Sequence, residues 1–271
     1  MNISSSFLGE ASALLTAIVW AIAVILFKKS GESVHPIALN LFKNLLAIFL
    51  ILPTMWLMGS TLFRSVPAGE YLLLIASGAI GIGLADSMFL KSLNLLGAGL
   101  TAIVDCLYSP FIIGLSMLWL GERLDILQFV GVAMIISAVL TAMREKGRGL
   151  ISTRNMVWGL LWGVGGLFLM AVGIIMIKPL LERSPLLWAT EVRLAGGILV
   201  LALVLLFHPG RRAVISSLVT SRSWKYTLSG SFAGSYLAMI LWLTGMKFAP
   251  ASVAAPLNQT SNIFIFIFAA L

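Results

Sequence analysis

Charge is scarce in this chain. Only 10% of its 271 residues are Asp, Glu, Lys or Arg, against about 25% in ordinary soluble domains. With 60% hydrophobic residues and a mean hydropathy of +1.05, that scarcity excludes a cytosolic or secreted globular fold. A single cysteine, Cys106, excludes a disulfide framework and a thiolate metal cluster. Two histidines, His35 and His208, both at the borders of apolar stretches, are too few for an imidazole metal centre. No cofactor or metal is implied. The net charge of +8 does not point to nucleic acid, because no basic stripe lies away from the ends of apolar runs. Lysine and arginine collect in the cytoplasmic loops of membrane proteins for a different reason, the positive-inside bias.

What the chain does have is long apolar runs. They fall at 9–29, 36–58, 70–92, 97–120, 126–143, 156–179, 186–207, 226–247 and 250–271, each near the ~20 residues that cross a bilayer as a helix. The runs are continuous rather than alternating, which excludes a transmembrane β-barrel. The expected fold is an all-α integral membrane bundle with nine transmembrane helices. Lys28 and Lys29 follow the first run and no positive charge precedes it, so it reads as a retained span and not as a cleaved signal.

The runs repeat. Met88 through Asn94 align with Leu241 through Lys247 at an offset of 153, which also sets Gly81 on Gly234 and Asp105 on Asn258. Nearer the front, an offset of 150 sets Lys28 on Lys178 and Lys43 on Arg193. Five spans therefore recur, and an odd number turns the second copy upside down, as in the inverted repeats of secondary transporters. The expected division is a first repeat of five helices over 1–146 and a second, truncated repeat of four over 147–271. Leu271 maps onto Leu118, ahead of the Gly121-Glu122-Arg123 turn, so ten helices are expected in the complete protein.

These features resemble the drug/metabolite transporter superfamily, specifically its two-domain EamA-type permeases. The resemblance rests on the five-plus-five repeat and the small-residue opening of the first span around Trp20. It rests also on a cation in the second span of each half (Lys43, Arg193) and on the Gly121-Glu122 turn. Lysine stands at 43 where the family more often has arginine. The resemblance implies a helix bundle that moves small metabolites by alternating access.

Ionisable residues inside a span cost about 2.5–3.5 kcal/mol each on insertion scales and so default to function. Here they are Lys43, Asp86, Asp105, Glu191 and Arg193, with Glu10 nearer an interface. Asp105 precedes Pro110, and Pro256 precedes Asn258 and Gln259 in the matching span. Proline-interrupted polar helices at corresponding positions point to a transporter's binding site. Lys43 can neutralise either Asp86 or Asp105. Arg193 needs a partner across the bundle, or holds an anionic group of the solute. Trp20, Tyr108 and Tyr236 complete the expected substrate site, with Trp242 as a further intramembrane aromatic. The glycine pairs Gly159/Gly163 and Gly230/Gly234 have the spacing that lets helices pack closely.

The function expected is a secondary transporter, not an enzyme, for amino acids or related solutes. It would export or exchange them in the plasma or bacterial inner membrane, with protons as the coupling ion through Asp86 or Asp105. Two alternatives stand beside it: a helix-bundle subunit that does not transport, and an intramembrane aspartyl protease using Asp86 and Asp105. The sequence does not fix an oligomeric state. Orientation is read two ways. Lys28, Lys29, Lys91, Arg144, Lys146, Arg148, Arg154, Arg211, Arg212, Arg222 and Lys225 outnumber the opposite end's Arg64, Arg123, Lys178, Arg183 and Lys247. That bias puts the N-terminus outside, whereas the family resemblance puts it in the cytoplasm.

Overall fold

The computed structural model of the protein describes residues 3–123 and 152–270, with isolated positions between 126 and 137, and side chains from Ser6 to Phe268. Most of the expected span at 126–143 lies outside the described residues. Every regular element among the described residues is helical. Five helical stretches are long and apolar enough to cross a membrane: Ser6–Gly31, Pro36–Leu57, Ala68–Asp105, Thr153–Ile175 and Leu186–Phe207. Among the described residues the other apolar runs fold as shorter helical pieces, and the long apolar helices make the chain an integral membrane protein.

Helix α1 (Ile3–Gly31) ends with Lys28 and Lys29 in its last turn, where cations favour the helix dipole. Helix α2 (Pro36–Leu57) starts on Pro36, whose missing N–H costs nothing there, and His35 caps it by accepting from the Ile37 amide at 3.3 Å. Helix α3 (Ala68–Gly78) runs through a π-helical stretch, Ala79–Leu84, into α4 (Ala85–Asp105). Within α4 the chain breaks at Gly97, whose φ of 77° suits glycine alone. After a turn at Cys106 and Leu107, α5 (Tyr108–Leu120) runs to Gly121. Helix α6 (Thr153–Ile175) is capped by Ser152. A short α7 (Lys178–Arg183) leads into α8 (Leu186–Phe207), and α9 (Arg211–Val219) follows it. Helix α10 (Trp224–Ser231) passes through a second π-helical stretch, Phe232–Ala238, into α11 (Met239–Phe248). The chain finishes with α12 (Ala251–Gln259) and α13 (Ser261–Ala270).

The interruptions themselves recur at the offset of 153. The π-helical stretches begin at Ala79 and Phe232, the break at Gly97 corresponds to Pro250, and the turn at Leu107 corresponds to Thr260. π-helical turns leave backbone carbonyls without their usual helical partners and gather at functional sites. In the first half Asn40 meets that need, its amide donating to the carbonyls of Ile82 (2.9 Å) and Gly83 (3.1 Å).

Lipid is as apolar as leucine, so these helices are held by close packing and interhelical hydrogen bonds rather than by the hydrophobic effect. Helix α6 lies against α4, where Ser92 Oγ donates to the Gly159 carbonyl at 2.7 Å and a Cβ at Gly163 would stand 2.7 Å from the same hydroxyl. Bonds of this kind contribute about 0.6 kcal/mol each. Helices α3 and α8 cross so tightly that a Cβ at Gly78 would collide with the Arg193 backbone carbonyl. That crossing sets Arg193 beside the first π-helical stretch, at the centre of the bundle.

Candidate functional site

The centre of the bundle holds a cavity of about 780 Å³ of atom-free space, counting its open mouth. Both halves of the chain line it. Of the residues expected at a substrate site, Trp20, Lys43, Asp86, Asp105, Tyr108, Arg193, Asn258 and Gln259 face this one space. Glu191 and Tyr236 do not line it. Glu191 is buried in α8 with one carboxylate oxygen unbonded. The Tyr236 hydroxyl bonds Thr54 Oγ1 at 2.8 Å, while its neighbours Gly234 and Ser235 reach the cavity instead. Glu10 accepts from Ser6 near the start of α1.

Two cations and two carboxylates share the cavity, in contrasting circumstances. Lys43 of α2, 3% exposed, forms an ion pair with Asp86 at the start of α4. That contact settles the choice between Asp86 and Asp105 for Lys43, and it removes one charge of each sign from the ledger. Arg193 of α8 is 5% exposed, and its Nε donates to Ser77 Oγ at 3.0 Å, Ser77 in turn bonding the Gly173 carbonyl. Among the described residues no carboxylate pairs with Arg193. A Cβ at Gly81 would stand 3.6 Å from the guanidinium, so glycine leaves the fork free space on that side.

Asp105, the last residue of α4, is 7% exposed and has amides for partners rather than a cation. With the Asn262 and Gln259 amides both turned, Asn262 NH₂ donates to Asp105 Oδ2 at 3.2 Å and to the Ala102 carbonyl at 3.3 Å, and the Asn262 oxygen accepts from the Gln259 amide at 2.6 Å. The two helix breaks thus meet across the bundle: Asp105 ends α4, and the residues around Thr260 join α12 to α13. Asn258 Oδ1 is buried there without a hydrogen-bond partner, a costly state that a donor on a ligand would relieve.

The remaining walls are apolar. Tyr108 and Trp242 lie with ring centroids 6.0 Å apart, and Trp20 packs on Phe89 at the same 6.0 Å. Leu167, Met170 and Ile174 of α6 and Met239 of α11 complete the lining. Sequence reasoning did not single out these four, nor Thr16 and Ser77. Thr16 had a signal, since it stands one helical turn from Trp20. Lys178 matched Lys28 in the repeat and was placed in a loop. The structure buries it in α7, where Nζ donates to the carbonyls of Met246 (2.9 Å) and Ala249 (3.1 Å) and pairs with Glu182 at 2.7 Å. It therefore ties α7 to the end of α11, outside the cavity lining.

This architecture has relatives. A curated protein of Bacillus subtilis (strain 168), named as the uncharacterized transporter YxxF, is 24% identical over 148 residues, which are 52% of this chain and 47% of that protein. The match thus spans about half the length of that relative. A solved crystal structure, described only as that of a protein, matches 100% of this chain and 88% of its own length with a TM-score of 0.74. At 18% identity it supports the fold alone. The model of the EamA-like transporter family matches residues 7–144 and 157–271, nearly the whole sequence. The family and the relative are both named as transporters. The chain belongs to the EamA-like transporter family.

Proposed function

We propose that the protein is a secondary transporter that carries amino acids or closely related zwitterionic solutes by alternating access. In this reading these 271 residues hold nine membrane passes, in two inverted repeats over 1–146 and 147–271, and the protein exports or exchanges its solute across the plasma or bacterial inner membrane. The observation that carries the reading is the charge arrangement of the central cavity. Among the described residues Lys43 and Asp86 form an ion pair, Arg193 has no carboxylate in contact and meets Asp86 only as a more distant charge, and Asp105 has no cation in contact. A zwitterion supplies both missing partners. Its carboxylate can take the forked, bidentate bonds that a guanidinium offers, and its ammonium can donate to Asp105. Trp20, Tyr108, Met170 and Trp242 then favour an apolar or aromatic side chain.

Alternating access suits the broken helices. Helices that are interrupted at matching places in two halves can rock about a shared site without unpacking. Coupling to protons is assigned to Asp105, since a buried carboxylate held only by amides can bind a proton whenever no ammonium occupies the site. Asp86, tied to Lys43, is the poorer carrier. The same difference counts against an aspartyl protease, whose two carboxylates share one proton, because here each carboxylate has its own separate partners.

The test is exchange of labelled L-leucine in proteoliposomes loaded with unlabelled L-leucine. Saturable exchange is expected, with a pH gradient accelerating net flux. Asp105→Asn should lose the acceleration and also weaken exchange, because the solute's ammonium loses its carboxylate partner. Absence of exchange for leucine, phenylalanine and their neutral relatives alike would overturn the amino-acid assignment. A bundle that never conducts any solute would fit the non-transporting alternative.

A further inference from the structure

The end of the bundle where α1 meets α2 carries a surface that the cavity does not use. Between His208 and Lys225 the sequence holds Arg211, Arg212, Arg222 and Lys225 and no acidic residue. The structure makes its middle a separate helix, α9, which anchors through buried Val214. Arg211 and Arg212 are exposed at the start of α9, and Arg211 also bonds the Leu206 carbonyl at 3.1 Å. Among the described residues neither arginine has a carboxylate partner. One turn apart on the same helix, Ile215 (48% exposed) and Val219 (67% exposed) form an outward apolar stripe, and Trp224 follows it. Cations flanking an exposed apolar stripe, on a short helix next to the end of a membrane span, make the pattern of a helix that lies in the headgroup layer.

We infer that α9 is an interfacial docking helix for anionic phospholipid. Arg211 and Arg212, supported by Arg222 and Lys225, hold headgroup phosphates, and Ile215 and Val219 enter the acyl boundary. Charge complementarity commits the surface to an anionic lipid, since a zwitterionic headgroup brings its own cation with its phosphate.

The surface is joined to the contact between the two halves. Ser217 of α9 accepts from the His35 amide at 3.0 Å, and Ser221 and Ser223, just beyond α9, bond Ser33 at 2.9 and 3.1 Å. Ser30 and Thr227 bond at 2.7 Å. The Ser33 contacts are exposed and neutral, so water replaces them at little cost, whereas Ser30 and Thr227 are buried. At the other end, Trp188 Nε1 donates to the Leu62 carbonyl at 3.0 Å, Arg183 pairs with Glu70 at 2.8 Å, and Glu122 accepts from the amides of Ala251 and Ser252. Lipid bound at α9 therefore acts on the end of the molecule where α9 meets the turn between α1 and α2.

The test uses the full chain released from bicelles of phosphatidylcholine and phosphatidylglycerol into a mass spectrometer, counting retained lipids. Phosphatidylglycerol should be enriched over its share of the bicelle. The enrichment should fall about fivefold for each cation removed in Arg211→Gln and Arg212→Gln. Arg123→Gln, an exposed arginine at the opposite end, should change nothing. Arg211→Lys with Arg212→Lys keeps the charge and should keep the enrichment. Ile215→Ser with Val219→Ser keeps the cations and should still reduce lipid retention, so the inference does not depend on one variant folding. Equal loss of lipid in Arg123→Gln, or retention of phosphatidylcholine and phosphatidylglycerol in proportion to their supply, would overturn it. So would full thermal stabilisation by free glycerol phosphate, which would assign these arginines to a soluble phosphate. The outcome is independent of whether the cavity carries amino acids.

Discussion

Lys43 and Arg193 occupy matching positions, 150 residues apart, in the second span of each half, yet their surroundings differ. Lys43 is closed by Asp86, whereas Arg193 has the Ser77 hydroxyl and open space. The reason lies in the helix that follows. The offset of 153 that relates the later spans carries Asp86 onto Met239, and Met239 also lines the cavity. The two halves therefore have the same cationic position, but only the first supplies its counter-ion. At the matched positions the charge is kept and its contacting counter-ion is not. An unpaired buried charge is expensive, and the central reading is that the solute completes in the second half what Asp86 completes in the first.

The comparison can be broken most severely at Asp86. Asp86→Asn leaves Lys43 buried without a counter-ion and should destabilise the protein by about 3–5 kcal/mol in detergent unfolding. Replacing both members with apolar residues, Lys43→Met with Asp86→Leu, should restore most of that stability. If the single and double variants are equally unstable, the pair is not what holds Lys43. Next in size, Arg193→Gln should leave the unfolding midpoint close to wild type and weaken solute binding about 100-fold, the scale expected on losing one partner of a buried charge pair. A smaller effect comes from supplying the absent carboxylate. Met239→Asp gives Arg193 an internal partner and should reduce solute affinity about tenfold by competition, while raising thermal stability. Unchanged affinity in Met239→Asp would show that Arg193 and position 239 do not form the counterpart of the Lys43–Asp86 pair.

The smallest effect concerns the end of the bundle that carries both histidines. His35 and His208 come together there with ring centroids 5.9 Å apart. Burial first, and then the charges of His208 and Lys91, hold His35 below its ordinary value of 6.5. A histidine whose folded value is depressed binds protons better when unfolded. Its contribution is therefore full above the unfolded value and declines as the pH falls below it. Thermal stability should drop slightly between pH 7 and pH 5, and His35→Gln should flatten that slope. An increase in stability on acidification would reverse the sign of this argument.

Much of this was legible in the amino acids. The limits of α2 and α8 follow Pro36, Pro185 and His208 to within a residue, because proline and the ends of apolar runs act locally. The two intramembrane cations and the polar, proline-interrupted last span were also visible, because charge and proline are rare enough there to stand out. What was hidden depends on how helices meet. Gly234 marked close approach, but not the π-helical turn that contains it, nor the matching turn around Gly81 and Gly83 in the first half. The expected gap between runs near residue 95 is helical, and the chain instead breaks at Gly97 and again at Cys106–Leu107. Hydropathy cannot see such breaks, since both sides of each are apolar. Lys43 had two carboxylates to choose from, Asp86 and Asp105, and only the packing of α2 on α4 decides between them. Lys178 looked like a loop lysine because its partners are backbone carbonyls from a distant helix end. Helix α9 lay within a stretch too short and too polar for hydropathy to mark.

Arg193 can be tested most directly by comparing L-leucine with 3-methylbutylamine, the same molecule without its carboxylate, by calorimetric titration of the purified protein. Wild-type protein should bind the amino acid at least about 100-fold more tightly than the amine, and Arg193→Gln should abolish the preference by weakening leucine alone. Equal affinity of the wild type for the two compounds, or a preference that survives Arg193→Gln, would contradict the assignment of the unpaired guanidinium to the solute's anionic group.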